Sequence, residues 1–290
     1  RAVAGALAAV LALGCACGYL LGGRYPMEWA PVDAGEHSGV EESKARLLAL
    51  GVPDYVLNDL TAEDLAACDG AILVVVDVDD YPVNSGRRVS HSYWIGGERH
   101  TNIHTVYDVK ELRITGVGVE LPGERWMLIQ HFLWTTPPGF CGTESIQLWP
   151  AYRAGMEGWR SGGALTGRVL YDEGGQTYAA PYCFLGEQTF AYDSLFWGQQ
   201  IRDDLFAAFS LPRDGENCRG YVAYPIERVR DGYIVDGWFN YTHQQSWMQY
   251  PVMTAMENQM TNGWNWEGVF YEVSTALQFY QNEEGVRLLG

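Results

Sequence analysis

Asp77-Val78-Asp79-Asp80, followed by Asn84, Ser85 and Gly86, concentrates side-chain oxygens in one short stretch. A hard cation such as calcium takes roughly six to eight oxygen ligands. The spacing departs from a helix-loop-helix calcium loop: counted from Asp77, Pro82 stands where the loop needs Gly, and Arg88 where it needs Glu. Asp77, Asp79 and Asp80 are thus either weak calcium ligands or a solvated strand end leading into a turn.

His91, His100 and His104 lie near Glu98. On a helix His100 and His104 would share a face toward a metal. Thr101, Ile103, Thr105, Val106 and Tyr107 favour a strand instead, where residues four apart are about 13 Å from each other. Cys141 follows His131 by ten residues, a pair able to supply a thiolate nucleophile if folding joins them. Ser85 and Ser161 are glycine-flanked but outside any GxSxG elbow. Asp203-Asp204 and Glu283-Glu284 would serve a glycan or peptidoglycan hydrolase only across a cleft.

The aromatic residues offer a different chemistry. The chain has 11 Trp, 18 Tyr and 10 Phe, dense in Trp238-Phe239-Asn240-Tyr241 and Gly263-Trp264-Asn265-Trp266. Exposed rings beside Asn and Gln stack on sugars or grip peptides. Trp264, Trp266, Trp238 and Tyr241 are therefore the candidate ligand contacts. The competing reading places such rings in a core, because alternation along a strand turns every second residue inward.

These residues need elements to position them, and the first element is an address. Ala2 to Gly22 is uncharged and mostly apolar, and every one of the 36 acidic residues follows it. As a helix of about 1.5 Å rise per residue it reaches about 31 Å, enough to cross a bilayer core. It reads as a retained transmembrane anchor over residues 1–23, longer than a signal-peptide core and continuing through Tyr19, Leu20 and Leu21. Ala12-Leu13-Gly14-Cys15 also resembles a lipobox of bacterial lipoproteins, with Cys15 as the lipidated residue. The chain opens on Arg1, so further spans are expected to be able to precede it.

Acidity limits the partners. With 19 basic against 36 acidic residues the net charge is −17, which repels nucleic acid and anionic headgroups. No nucleic-acid partner is expected, and the soluble part is expected on the extracytoplasmic side. Cys68, Cys141, Cys183 and Cys218 are spaced unlike a zinc knuckle or CxxC pair, leaving buried thiols or any of three disulfide pairings.

After the anchor, residues 24–39 carry Pro26, Pro31, Gly35 and Gly39 and read as a linker. Residues 40–69 read as a short helical segment. Glu41 and Glu42 open a helix that Gly51-Val52-Pro53 stops, and Thr61 caps a second one running to about Cys68. From Ala71 the pattern is β: Ala71 to Val76, Leu112 to Leu121, Arg125 to Thr135, Thr143 to Trp149, Thr177 to Leu185, Leu205 to Leu211, Gly220 to Val229 and Tyr233 to Thr242. A last helix is expected at Val273 to Tyr280.

One offset stands out. At 107 residues Trp126 aligns with Tyr233, Phe132 with Phe239, Trp134 with Tyr241 and Phe140 with Trp247. Two readings remain: an internal duplication, or two strands that share an aromatic alternation. The duplication divides the chain into β-rich units 70–165 and 166–290. The expected architecture is mainly β: a membrane anchor, a short helical segment and two tandem antiparallel β-sandwich-like units. The expected function is a single-pass, membrane-anchored binding, sensory or accessory protein taking a glycan, a peptide or a membrane protein. A surface hydrolase and an assembly subunit of a membrane complex are the alternatives.

Overall fold

The computed structural model describes residues 25–81, 90–95, 97–102, 111–149, 158–194, 198–230, 234–244, 270–282 and 285–288. Among the described residues three short helices come first: α1 (Glu41–Leu50), α2 (Asp54–Asp59) and α3 (Ala62–Ala67). α1 begins on Glu41 and Glu42, which complement its dipole, and ends at Gly51. Gly51 takes a left-handed φ of 108° and returns its N–H to Leu47 and Leu48. The Thr61 hydroxyl accepts from the Asp64 N–H and caps α3. α2 is additional to the expected pair and starts at Pro53, whose fixed φ suits a helix start.

The remainder is β. The strands are β1 (Ala30–Pro31), β2 (Leu73–Tyr81), β3 (Ser90–Ile95), β4 (Glu98–Asn102), β5 (Leu112–Leu121), β6 (Arg125–Trp134), β7 (Thr143–Trp149) and β8 (Trp159–Ser161). They continue as β9 (Thr166–Glu173), β10 (Gln176–Ala180), β11 (Phe184–Ser194), β12 (Gly198–Ser210), β13 (Glu216–Arg228), β14 (Val235–Gln244), β15 (Phe270–Asn282) and β16 (Gly285–Leu288). One sheet has ten strands in the order β1-β10-β9-β13-β6-β5-β2-β3-β4, with β8 beside β13. The second has six, ordered β11-β12-β7-β14-β15-β16. All pairings among the described strands are antiparallel.

Alternation decides what each face buries. Even positions of β6, among them Trp126, Leu128, Phe132 and Trp134, join Phe209, Phe239, Tyr241, Leu277 and Phe279 between the sheets. Odd positions, Met127 and Ile129, pack with Val74, Val76, Val117 and Val119 beneath the helices. The result is three layers: helices, ten-stranded sheet, six-stranded sheet. Gly116 and Gly118 let the second sheet come close. A Cβ on Gly118 would stand 3.2 Å from the Phe279 ring, and one on Gly116 3.2 Å from Leu277 Cβ.

Three expectations change here. Val273 to Tyr280 is not helical but lies within β15, where Leu277 and Phe279 alternate into the inter-sheet core and reward the extended form. The stretch 24–39, expected as a bare linker, is docked over its described residues. Ala30 and Pro31 pair with β10, Trp29 meets the Tyr171 ring edge-on at 4.8 Å, and Glu36 pairs with Arg168. Its apolar and charged side chains outweigh the Pro/Gly signal that suggested a linker. Finally, both sheets take strands from both sides of residue 165: β6 pairs with β13, and β7 with β12 and β14. The layers therefore follow the sheets and not the 70–165 and 166–290 stretches.

The run Ala2 to Gly22, with Cys15, lies outside the described residues. Among the described residues no helix is long and apolar enough to cross a membrane.

Candidate functional site

On the six-stranded sheet two neighbouring strands pair residues of like chemistry in register. β7 and β14 place Trp149 opposite Trp238, Gln147 opposite Asn240 and Ser145 opposite Thr242. An aromatic pair is thus followed by an amide pair and then a hydroxyl pair. β12 adds Asp204, whose Oδ2 accepts from Gln147 Nε2 at 2.6 Å. Trp238 is 39% exposed, whereas Asn240, Gln147, Asp204, Ser145 and Thr242 are buried. Among the described residues Thr242 Oγ1 is buried without a hydrogen-bond partner.

Trp238 and Tyr241 do not share this surface. Three positions apart on one strand, they project to opposite faces. Tyr241 is fully buried in the inter-sheet core, where it accepts from Trp134 Nε1–H at 3.0 Å and packs on Phe132. Trp264 and Trp266 lie outside the described residues.

The three aspartates also separate. Asp79 points between the sheets, accepting from Tyr81 OH at 3.0 Å and Thr275 Oγ1 at 2.7 Å. Asp77, two positions earlier, shares that face, whereas Asp80 turns to the helix side and pairs with Arg113 Nε at 2.8 Å. Asp77, Asp79 and Asp80 therefore do not converge on one calcium ion. Among the described residues no group of three or more His, Cys, Asp or Glu is placed to hold a metal.

His131 and Cys141 fall on opposite sides of the ten-stranded sheet. His131 is buried on the helix side, where its Nε2 lies 2.8 Å from Asp59 Oδ2, and Cys141 packs against the inter-sheet core. None of Cys68, Cys141, Cys183 and Cys218 forms a disulfide. The carboxylate Asp204, half of an adjacent acidic pair, is the one just described beneath Gln147.

Two polar clusters are new to the structure. In the helix–sheet seam Asp59 takes His131 on one oxygen and Arg219 Nε on the other at 2.7 Å, and Arg219 also reaches Asp172 at 3.0 Å. Arg168 Nε donates to Asp59 O, and Tyr221 OH donates to Asp64. Among the described residues His131 Nδ1 is buried with no partner, and its ring lies 5.6 Å from that of Tyr55. At one end of the sandwich His243 Nδ1 lies 2.8 and 3.0 Å from the two oxygens of Glu144, both residues buried. The readable signal was a charged or amide residue at a core-facing position of an apolar strand: His131 in RWMLIQHFLW, Glu144 in TESIQLW. Which partner answers it depends on chain separations of 72 and 99 residues.

No protein family, curated protein or solved structure matches this chain.

Proposed function

We propose that the chain is a membrane-anchored, extracytoplasmic binding module that takes a glycan on the outer face of its six-stranded sheet. The observation that carries this reading is the cross-strand ladder of Trp149/Trp238, Gln147/Asn240 and Ser145/Thr242. A sugar ring offers an apolar C–H face and a rim of hydroxyls, which suit an indole face and neighbouring amides respectively. Trp238 is the exposed end of the ladder, and Asn240 is the first polar group behind it. The buried Gln147–Asp204 bond holds the amide row in place. The run Ala2 to Gly22 supplies the anchor, and the charge of −17 disfavours nucleic acid as the ligand.

A glycan array probed with the full chain in detergent, followed by calorimetry on the retained sugar, tests the proposal. Trp238→Ala is expected to weaken binding by about tenfold, ~1.4 kcal/mol. Retention of no glycan, or equal affinity for wild type and Trp238→Ala, overturns it.

A further inference from the structure

The segment that follows the apolar run is fastened to one end of the sandwich. Tyr25 N–H donates to Ser210 Oγ at 2.7 Å, and Cys183 Sγ–H donates to Pro26 O at 3.0 Å. Ser210 is the last residue of β12 and pairs with Thr143, the first residue of β7. Immediately before Thr143 runs Thr135-Thr136-Pro137-Pro138-Gly139-Phe140-Cys141-Gly142, eight residues with no charge in a protein of net charge −17. Thr135, Thr136, Pro137 and Gly139 are exposed, and Phe140 is half-buried. Only three residue steps separate Gly22 from Tyr25, at most about 10 Å of chain.

We infer that this end of the sandwich, formed by Thr135–Gly142 and the neighbouring β12–β13 connection, seats directly on the lipid bilayer surface. The inference rests on the reading of Ala2 to Gly22 as a membrane span. A short tether fastened at Tyr25 cannot hold the β12 end away from the headgroups. That end presents the uncharged, proline- and phenylalanine-bearing loop Thr135–Gly142, while the exposed Arg213 and Asp214 of the β12–β13 connection, opposite in sign, suit the polar headgroup layer and limit the contact to the bilayer surface. The turn Pro122–Glu124 closes the other end of β6, about 30 Å away at the rise of a strand, and points to solvent. The anchor thereby sets the orientation of the module as well as its location.

The test reconstitutes the full chain in phosphatidylcholine vesicles doped with a diazirine-bearing phosphatidylcholine, irradiates, and maps lipid adducts by peptide mass spectrometry. Adducts are expected on 2–22 and on 135–142, with at least about fivefold fewer on 122–124. A Gly/Ser spacer of about 20 residues inserted after Arg24 is expected to lower the 135–142 adducts severalfold, because it dilutes the end relative to the bilayer. Adducts on 2–22 alone, or equal adducts on 135–142 and 122–124, overturn the seating while leaving the span intact. Absence of adducts on 2–22 overturns the span and the seating together.

Discussion

Trp134 and Tyr241 meet across the sandwich, the indole N–H donating to the phenol oxygen at 3.0 Å with a sequence separation of 107 residues. Gln130 Nε2 reaches Gly237 O at 3.1 Å with the same separation. The offset that aligns aromatic residues along the chain is thus also the offset at which β6 and β14 face each other over one core. Two strands lining the same interior share its demand for large rings at alternate positions. Pairing does not repeat with the offset: β13, which holds every position 107 residues after β5, pairs with β6, β8 and β9.

Tyr241→Phe keeps the ring and removes the hydroxyl, leaving the buried Trp134 N–H unpaired and taking a hydrogen bond from Glu144. The expected cost is about 1–3 kcal/mol, read as a lower urea midpoint at unchanged slope. An unchanged midpoint would show that the hydroxyl's bonds to Trp134 and Glu144 together contribute nothing.

Asp59 joins α2 to two strands, since its two oxygens hold His131 on β6 and Arg219 on β13. Asp59→Ala leaves His131 Nε2 without its carboxylate and Arg219 with Asp172 as its remaining carboxylate partner, and is expected to destabilise by about 3 kcal/mol. Asp59→Asn, which keeps one acceptor, is expected to cost less. Equal unfolding curves for Asp59→Ala and wild type would remove the seam from the account of stability.

Burial, the largest influence on Glu144, holds its carboxyl above the ordinary value of 4.5 despite the opposing pull of His243 and Tyr241. The folded state therefore retains a proton that the unfolded chain has released. Stability contributed by this group is full below 4.5 and falls as pH rises through the folded value. Glu144→Gln removes the titration, so its stability relative to wild type is expected to improve as pH rises above 4.5. Parallel curves of unfolding free energy against pH would contradict the assignment.

Burial pushes the Cys68 and Cys218 thiols up to about 12. Cys183 is exposed. Because alkylation requires an accessible thiolate, iodoacetamide at about pH 8 is expected to modify Cys183 in the native protein, and Cys68 and Cys218 only after denaturation. Peptide mapping that finds Cys218 labelled as fast as Cys183 would refute this.

Local rules carried much of the fold. Glu41, Glu42 and Gly51 bounded α1, Thr61 bounded α3, and alternation located β5, β6 and β7 within a residue or two. Each of these signals acts between neighbours a few positions apart. The same rules misled at Val273 to Tyr280, where helix-compatible residues such as Ala276, Leu277 and Gln278 extend because β14 and the opposite sheet pair with and pack on them.

The candidate site was legible in composition and not in place. Trp238 and Tyr241 look alike as aromatics flanking Asn240, yet strand parity makes one a surface ring and the other a core ring. Asp79 and Asp80 are adjacent in the chain, and the pleat sends them to opposite faces.

Order along the chain was sufficient for caps, turns, strand periods, the acidic charge and the apolar run, all of which are decided by covalent neighbours or by sums over residues. Tertiary structure alone decided which strands pair, that Trp149 stands opposite Trp238 and Gln147 opposite Asn240, and that Asp59 meets both His131 and Arg219. Those choices are made where long-range burial must offset the entropy of closing long loops, and no local pattern encodes which partner wins that balance.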